Sequence, residues 1–382
     1  MSNTPTRTTL TVQAMHAIDQ ITGAVIPPIH PATTYARGSD NQLIGEQDYR
    51  RPSGPTEKQA AKVLAMLEGA PEAKLFCSGM AAIAAVIESV PTGGHVIAQT
   101  EMYYGAKLLM QRAAAKKRIT LNLVPPGDLH ALTAAARPDT NLIWIESPAN
   151  PSWAIVDIAK TADIAHAVGA TLGVDSTCAP PCTTQALALG ADIVMHSATK
   201  YLNGHSDVLA GVLATREVNA RWEEIGEIHS KTGAVPGAFE TWLLMRGLRT
   251  LWVRFERQSA SALTLADALQ GEKGLEAVLY PGLPGHPGHG VATLQMSNGF
   301  GGMLSVHIAG GYDAAARFAA ATRLFTQATS LGGVESLIEH RKPIEGPDSP
   351  VADNLVRLSV GLEDPADLLA DLRQALQACR AA

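Results

Sequence analysis

Short apolar runs alternate with helical patterns over residues 56 to 197, and no other feature constrains the fold of this chain as strongly. The apolar runs are four to six residues long, which predicts buried strands at 73–76, 95–99, 142–146, 171–175 and 192–197. Helical patterns lie between them, at 57–69 (with Thr56 as the N-cap), 80–90, 105–117, 158–170 and 184–191. Strands that alternate with helices form β-α-β units, so the pattern predicts an α/β fold with a mainly parallel sheet.

The pattern changes on both sides of this region. Residues 1–55 are irregular and rich in turn formers. Beyond residue 237, a long helical pattern at 238–269 is followed by two strand candidates, 301–308 and 355–362, which enclose a helical stretch at 314–325. We therefore expect an N-terminal arm over 1–55, a large domain over 56–237 and a smaller α+β domain over 238–382.

Composition and charge argue against several classes of protein. The chain has 382 residues, of which 46% are hydrophobic and 17% charged, and this balance is globular rather than disordered or coiled-coil. Its formal net charge of −6, without a basic block, disfavours nucleic acid and anionic membranes as partners. The N-terminus lacks a signal-peptide core, and no apolar window approaches about 18 residues. We expect a cytoplasmic protein.

The cysteines and histidines do not form a recognisable metal motif. Four cysteines are too few for a disulfide scaffold at this length. Cys178 and Cys182 lie four residues apart, but no second Cys or His pair follows at zinc spacing. His286 and His289 lie in a stretch rich in proline and glycine, which predicts a loop. We expect reduced thiols and no metal.

Polar residues follow four of the predicted strands. In an open parallel sheet, ligands bind beyond the carboxyl ends of the strands. The first of these strands leads into a helix start, where backbone amides and the helix dipole attract an anion. In strand order, the residues delivered are Ser78, Gly79 and Met80; Glu146 and Asn150; Asp175; and Ser197, Thr199 and Lys200.

Pyridoxal phosphate is a cofactor that needs this set of groups. It requires a lysine for a Schiff base, a carboxylate against the pyridine nitrogen, and hydroxyls and amides around its phosphate. Lys200 and Asp175 follow predicted neighbouring strands about 5 Å apart, so both can reach one ring. Taken singly, the aspartate could be a helix cap and the lysine a solvated charge. The groups available for the phosphate are Ser78, Gly79, Met80, Ser197 and Thr199.

Segments along nearly the whole chain resemble the Cys/Met-metabolism (transsulfuration) family of pyridoxal-phosphate enzymes. DIVMHSATKYLNGHS at 192–206 fits the family signature throughout. The other matching segments are YRRPSGPT (49–56), CSGMAAI (77–83), TEMYYG (100–105), ESPANP (146–151), DSTCAPP (175–181), SLGGVESL (330–337) and VRLSVGLED (356–364). The resemblance implies the aspartate aminotransferase-like fold (fold type I) and a homotetramer made of two active dimers.

The resemblance also implies roles for individual residues. Lys200 corresponds to the Schiff-base lysine, Asp175 to the pyridinium partner, and Tyr104 to the residue that stacks on the ring and assists proton transfer. The implied phosphate contacts are Ser78, Gly79, Met80, Ser197 and Thr199 within the subunit, with Tyr49 and Arg51 from the partner subunit. The positions implied near the cofactor oxygen and the substrate are Asn150, Thr329, Ser330 and Arg357.

The chain departs from the family pattern at several positions. Gly54, Ser176 and Cys178 replace other residues within two motifs, and the last two flank the implied ring position. Ala106 stands where methionine γ-lyases carry cysteine, which argues against methionine as substrate. Thr329 stands where many cystathionine γ-lyases and γ-synthases carry glutamate, which weakens the expected recognition of a distal ammonium group.

Three enzymatic reactions stay open within the family. We favour a C–S lyase that acts by β- or γ-elimination on cystathionine or a related sulfur amino acid. The alternatives are cystathionine γ-synthase and methionine γ-lyase. Outside the family, a dinucleotide-binding oxidoreductase would need a G-x-G-x-x-G segment after its first strand, and the glycines at 93–94 and 299–302 do not fit. A non-catalytic relative would be expected to lose Lys200 or Arg357, and both are present.

Overall fold

The computed structural model describes residues 5–347 and 349–381. Its helices are α1 (Arg7–Val12), α2 (Pro55–Glu68), α3 (Gly79–Glu88), α4 (Tyr104–Ala115), α5 (Leu129–Ala135), α6 (Ile158–Ala167), α7 (Ala220–Thr232), α8 (Ala238–Leu248), α9 (Leu251–Leu269), α10 (His289–Gln295), α11 (Gly311–Ala321), α12 (Lys342–Glu345) and α13 (Pro365–Ala381). Its strands are β1 (Glu72–Phe76), β2 (Gly94–Gln99), β3 (Ile119–Val124), β4 (Thr140–Glu146), β5 (Thr171–Asp175), β6 (Ile193–Ser197), β7 (Gly211–Thr215), β8 (Leu275–Leu279), β9 (Met303–Ile308), β10 (Thr326–Gln327), β11 (Leu337–His340) and β12 (Leu355–Ser359).

The larger sheet has seven strands in the order β1-β7-β6-β5-β4-β2-β3. Strands β6, β5, β4, β2 and β3 run parallel to one another, while β7 is antiparallel to both of its neighbours. This arrangement confirms the predicted α/β fold with a mainly parallel sheet. Because β4, β5 and β6 are adjacent, their carboxyl ends meet at one edge, as the sequence argument required.

The smaller sheet has five strands in the order β10-β11-β12-β9-β8. Helices α9, α11 and α13 pack with it around a shared apolar core that includes Leu265, Phe318 and Leu372. Strand β11 lies antiparallel to β12, and this register places Glu339 opposite Arg357. The second sheet confirms a smaller α+β region, while the domain boundaries at residues 55 and 237 stay a prediction.

The sequence pattern did not predict β3, β7 or α7. Strand β3 is an edge strand whose side chains are mostly exposed or half-buried, so it lacks a continuous apolar run. Strand β7 is a fully buried central strand, but it is short and follows a loop rather than a helix. Neither strand fits the simple alternation of apolar run and helix.

The long helical pattern at 238–269 is interrupted, so the prediction of one continuous pattern is wrong. Gly247 lets α8 pack against the chain at Asn203, because an added Cβ would lie 2.2 Å from the Asn203 carbonyl oxygen. Buried Arg254 of α9 then donates to the Gly247 carbonyl oxygen at 2.9 Å. These tertiary contacts stabilise the break between α8 and α9, and no local sequence pattern reports them.

Two local predictions are also wrong. Residues 184–191 form turns rather than a helix, and Gly190 there has a φ of +104° that a helix does not allow. Gly54, rather than Thr56, is the N-cap of α2. Pro55 is then the first helical residue, where its fixed φ suits the first turn and its missing N–H costs nothing.

Candidate active site

A cleft opens where the carboxyl ends of β4, β5 and β6 meet the first turns of α3 and α4 and the loop before β11. Its lining combines apolar side chains with a few convergent polar and charged groups, as is typical of a small-molecule site. All of the sequence-predicted site residues except Tyr49 and Arg51 line it. The topology of the two sheets therefore gathers residues that are far apart in the sequence into one concave site.

Lys200 follows β6, and its side chain crosses the cleft toward the loop before β11. Its Nζ donates a hydrogen bond to the Oγ of Ser330 at 2.9 Å. Burial disfavours the charged amine, and the positive charge of Arg357 disfavours it further, which together lower the pKa of Lys200 to about 8. A lysine with this pKa is partly neutral near pH 7.5, so it can act as a nucleophile or a base.

The loop that carries Ser330 is held in a strained conformation. Ser330 has a φ of +122°, a value that non-glycine residues rarely adopt. Gly332 has a φ of +74°, and a Cβ there would lie 2.8 Å from the backbone nitrogen of Tyr201. The absence of a side chain at residue 332 thus lets this loop pack directly beside Lys200, which positions the Ser330 hydroxyl.

Asp175 ends β5 and lies next to Glu146, its register partner at the end of β4. The Oδ1 of Asp175 accepts hydrogen bonds from the backbone N and the Oγ1 of Thr177, at 3.0 and 2.6 Å. Burial raises the pKa of Asp175, and burial together with the Asp175 charge raises the pKa of Glu146 well above its ordinary value. Within the described residues neither carboxyl forms an ion pair. A protonated pyridine nitrogen beside Asp175 would provide the missing cation.

The start of α3 forms an anion site next to β6. Ser78 is the N-cap, and its Oγ accepts a hydrogen bond from the Ala81 amide at 3.1 Å. The amides of Gly79 and Met80 precede the first intrahelical hydrogen bond and are free to donate to a phosphate. A Cβ on Gly79 would lie 3.1 Å from the Oγ of Ser197, so only a glycine lets these two segments meet without displacement.

Thr199 lies at the same end of the cleft, but its hydroxyl is already used. It donates to the Ala210 carbonyl oxygen at 3.2 Å and accepts from the Ala210 amide at 3.1 Å. The remaining hydroxyls and amides still match a phosphate group, and the buried Asp175 matches a pyridinium. The residues of the cleft therefore fit pyridoxal phosphate, and Lys200 would supply the amine for the predicted Schiff base.

Arg357, from the middle of β12, forms the opposite wall. Its Nη1 donates to the Oδ1 of Asn150 at 3.2 Å, and its Nη2 donates to the Ser330 carbonyl oxygen at 3.0 Å and to Glu339 Oε2 at 2.7 Å. Burial and the nearby charge of Arg341 lower the pKa of Arg357 to about 10. A buried guanidinium of this kind is a suitable partner for the carboxylate of an amino acid.

The sequence of the whole chain matches a known enzyme family. The sequence model described as "Cys/Met metabolism PLP-dependent enzyme", where PLP is pyridoxal phosphate, matches residues 8–377. The chain belongs to this family. It is a pyridoxal-phosphate-dependent transsulfuration enzyme, as its sequence motifs predicted.

Relatives in this family are similar over nearly the whole chain. A cystathionine gamma-synthase of Mycobacterium tuberculosis is 43% identical over 374 residues, covering 96% of each chain. A cystathionine gamma-lyase of Dictyostelium discoideum is 40% identical over 376 residues (96% and 97% covered), and a cystathionine beta-lyase of Lactococcus lactis is 41% identical over 367 residues (94% and 96% covered). The crystal structure of a cystathionine gamma synthase from Xanthomonas oryzae in complex with cystathionine superposes with a TM-score of 0.95, at 35% identity and covering 99% of this chain and 100% of that chain.

Two tyrosines share one wall of this transsulfuration enzyme's cleft. Tyr104 is the first residue of α4, and its ring contacts that of Tyr103 edge to face, with the centroids 5.2 Å apart. Burial raises the pKa of Tyr103, so its hydroxyl stays protonated. The sequence motifs pointed to Tyr104 alone, and Tyr103 is a second phenol that can donate a hydrogen bond in the cleft.

Tyr49 and Arg51 do not line the cleft of their own subunit. The Tyr49 side chain is 44% exposed, and the Arg51 guanidinium carbon lies 5.5 Å from the centre of its ring. Both residues lie in the N-terminal arm, on the surface of the subunit. Their assignment to the cofactor site of a partner subunit stays a prediction.

The departures from the family pattern differ in their distance from the cleft. Cys178 and Thr329 line it. Ser176 does not, because its hydroxyl donates to the Ala179 carbonyl oxygen at 2.7 Å. Ala106 is buried in the core between α3 and α4 rather than in the cleft wall. Ala106 does not line the cleft, so it provides no direct structural reason to disfavour methionine as a substrate.

Two buried charged residues near the cleft, Glu339 and Arg341, were not predicted from the sequence. Glu339 is buried beside Arg357, and Arg341 is buried and lines the cleft. Thr329 donates its hydroxyl hydrogen bond to the Oε1 of Glu339, so Thr329 does not face the cleft as an isolated group. No sequence signal distinguished them from surface charges, because the segment that carries them, LIEHRKPIE at 337–345, is rich in charged residues throughout.

The described residues contain no group of three or more His, Cys, Asp or Glu side chains that could hold a metal ion. Cys178 and Cys182 are buried free thiols, and burial raises the pKa of both. His289, which we expected in a loop, begins the short helix α10. Across the same residues, no helix has both the length and the apolar character needed to span a bilayer.

Proposed function

We propose that this transsulfuration enzyme is a carbon–sulfur lyase that acts by β- or γ-elimination on cystathionine or a related sulfur amino acid. The observation that supports the proposal is the position of Lys200. Its amine, with a pKa lowered to about 8, is hydrogen-bonded to Ser330, whose carbonyl oxygen accepts from Arg357. The base therefore lies next to the predicted site of the substrate carboxylate and can reach the substrate Cα.

Binding begins with the carboxylate of the amino acid. Arg357 and Asn150 form the end of the cleft that attracts it, through charge-assisted and neutral hydrogen bonds. Pyridoxal phosphate, when bound between Asp175 and the start of α3, supplies the electron sink for the negative charge that develops at Cα. The neutral Lys200 amine removes the Cα proton, and the Ser330 hydroxyl holds that amine in place.

The leaving group determines the second half of the reaction. In β-elimination the thiol leaves from Cβ once the Cα proton is gone, whereas γ-elimination needs a further proton removed from Cβ. Lys200 is placed to carry both protons. Tyr104, in the same cleft, is placed to donate a proton to the leaving sulfur. One constellation of residues therefore serves both reactions, and the substrate's position relative to Lys200 selects between them.

A product assay tests the proposal. β-Elimination of cystathionine yields homocysteine, pyruvate and ammonia, whereas γ-elimination yields cysteine, 2-oxobutyrate and ammonia. We expect one of the two oxo acids from cystathionine, at a rate that falls below detection in Lys200→Ala. Failure to form either oxo acid from cystathionine, from methionine or from other thioether amino acids would contradict the lyase assignment.

Cystathionine γ-synthase is a second candidate for a specific reason. The mycobacterial relative at 43% identity and the superposed Xanthomonas structure both bear that name. Such an enzyme would join cysteine to an O-activated homoserine, form cystathionine and release the activating acid. Incubation with cysteine and O-acetyl- or O-succinylhomoserine distinguishes the two, because cystathionine would accumulate without an oxo acid.

For assembly, we propose a homotetramer of two active dimers in which Tyr49 and Arg51 reach the partner's phosphate site. Their exposure in the arm, away from their own cleft, supports this arrangement. Mixing Lys200→Ala with Arg51→Ala subunits should restore part of the activity, because a mixed dimer then contains one intact site. Verified mixed dimers without recovery would show that the arm does not act across the interface.

For location, we propose the cytoplasm. All four cysteines are free, which suits a reducing compartment. Fractionation of the source cells with an antibody to the protein would test this assignment.

A further inference from the structure

Four charged side chains of alternating sign form a continuous series of ion pairs, from Glu345 at the end of α12 to Arg357 in the cleft. Glu345 Oε1 lies 2.8 Å from Arg341 Nη2, and the other end of Arg341, Nη1, pairs with Glu339. Glu339 Oε2 lies 2.7 Å from Arg357 Nη2. None of the four side chains is more than 6% exposed. Water therefore screens these charges weakly, and each one influences the next.

Glu339 is shared between two guanidiniums. Its Oε2 accepts hydrogen bonds from both Arg341 and Arg357, and its Oε1 accepts one from Thr329. A carboxylate divided between two arginines neutralises neither of them completely. If Arg341 were absent, Glu339 would pair with Arg357 alone, and the resulting neutral pair would attract a substrate carboxylate less strongly.

We propose that Arg341 is a positioning residue that keeps the charge of Arg357 available for the substrate carboxylate. It does so by drawing the Glu339 carboxylate partly away from Arg357. The inference rests on the proposed function, because it takes Arg357 as the group that binds the amino acid's carboxylate. It adds a requirement that neither the motifs nor the relatives indicated.

A direct role for Arg341 in binding a second, distal carboxylate is less well supported. Arg341 lines the cleft, and its Nε is buried without a hydrogen-bond partner among the described residues. However, Glu339 and Glu345 both contact its guanidinium. These two acids already engage both terminal nitrogens of the Arg341 guanidinium, which leaves little of its positive charge for a further anion. The positioning role uses the same contacts without this conflict.

The test measures carboxylate binding separately from catalysis. L-Alanine has no leaving group, so its dissociation constant for the holoenzyme, followed by the change in cofactor absorbance, reports the carboxylate site. Arg341→Met retains the length of the side chain and removes the charge. We expect it to weaken alanine binding about tenfold, to raise KM for the substrate by a similar factor, and to change kcat by less than about threefold.

A compensating variant separates charge from structure. In Arg341→Met combined with Glu339→Gln, residue 339 no longer carries a charge that can neutralise Arg357, so alanine binding should return to within about threefold of the wild type. If Arg341 only supported the fold, the double variant would bind more weakly than either single variant. That result would overturn the proposal, as would wild-type affinity in Arg341→Met.

Two further variants keep the test decisive. Glu339→Gln alone should bind alanine at least as tightly as the wild type, and a tenfold weakening would overturn the proposal even if Arg341→Met did not fold. Arg373→Met is the matched control, because it removes an equal charge from a half-exposed surface pair with Glu272. A wild-type holoenzyme with no affinity for alanine would overturn both this proposal and the role of Arg357. Normal alanine binding without oxo-acid formation would overturn the lyase assignment alone.

Discussion

The low pKa of Lys200 should be visible in the pH dependence of cofactor attachment. Only the neutral amine can attack the aldehyde of pyridoxal phosphate. With a pKa of about 8, roughly a quarter of Lys200 is neutral at about pH 7.5, compared with roughly 0.1% of a lysine at its ordinary value of 10.5. The environment therefore supplies roughly 200 times more reactive amine at that pH than an ordinary lysine would have.

The measurement is the rate of attachment in cofactor-free protein. Protein and pyridoxal phosphate are mixed between about pH 6 and pH 10, and the growth of visible absorbance is followed. Division by the rate for Nα-acetyl-lysine amide at each pH removes the ionisations of the cofactor itself. The sign is fixed by the direction of the shift: below the lowered pKa the rate should rise about tenfold per pH unit, and above about pH 8 it should level off. The ratio to the model amine should stay nearly constant well below about pH 8 and should then fall, to roughly fourfold at about pH 10.

A variant identifies the cause of the shift. Burial makes the larger contribution and Arg357 the next, with smaller contributions from Cys178, Glu339 and Arg341. Removing the positive charge in Arg357→Met should raise the pKa of Lys200 and move the levelling point to higher pH. Arg373→Met, far from the cleft, should leave the curve unchanged. A wild-type rate that keeps rising to pH 10 would refute the argument, because it would show that Lys200 titrates as an ordinary lysine.

Three further predictions concern the ring site, the phosphate site and specificity. Asp175→Asn should lower kcat about 100-fold or more while cofactor is retained, because the ring loses its carboxylate partner, and near-normal kcat would contradict the assignment. Gly79→Ala should weaken cofactor affinity about tenfold, because its Cβ would lie 2.9 Å from the Met195 Cε and 3.1 Å from the Ser197 Oγ. The affinity is measured by titrating cofactor-free protein, and an unchanged value would mean that α3 and β6 can move apart without affecting the phosphate site. Thr329→Glu should raise kcat/KM for cystathionine about tenfold relative to a thioether without the distal amine, and an unchanged ratio would show that residue 329 does not read that group.

The parallel strands could be predicted because the burial of each strand is visible in its own short segment of sequence. Strands β2, β4, β5 and β6 are covered on both faces, so each appears as an apolar run that needs no knowledge of its neighbours. Edge strand β3 has no such run, since much of it is exposed. The break between α8 and α9 depends on Gly247 and Arg254 meeting residues near 203, and a contact between distant segments leaves no periodic signal.

The part of the candidate site that lies at the ends of the parallel strands could also be predicted from the strand pattern. Topology alone brings Asp175 and Lys200 together, because adjacent parallel strands deliver their next residues to one edge. Arg357 could be assigned only through the family resemblance, since it lies in the middle of a strand of the other sheet. The pairing of Arg357 with Glu339 follows from the antiparallel register of β11 and β12, which the sequence pattern did not contain.

The substrate specificity of this enzyme is difficult to infer from any single residue. The resemblance suggested that Thr329, where glutamate is common, weakens recognition of a distal ammonium. In the structure Thr329 donates to Glu339, and Glu339 is in turn divided between Arg341 and Arg357. The charge that a substrate meets is therefore set by four coupled groups and not by residue 329 alone. A substitution at any one of them redistributes the hydrogen bonds of the others, so the choice among elimination and replacement substrates must be sought in double variants of this network.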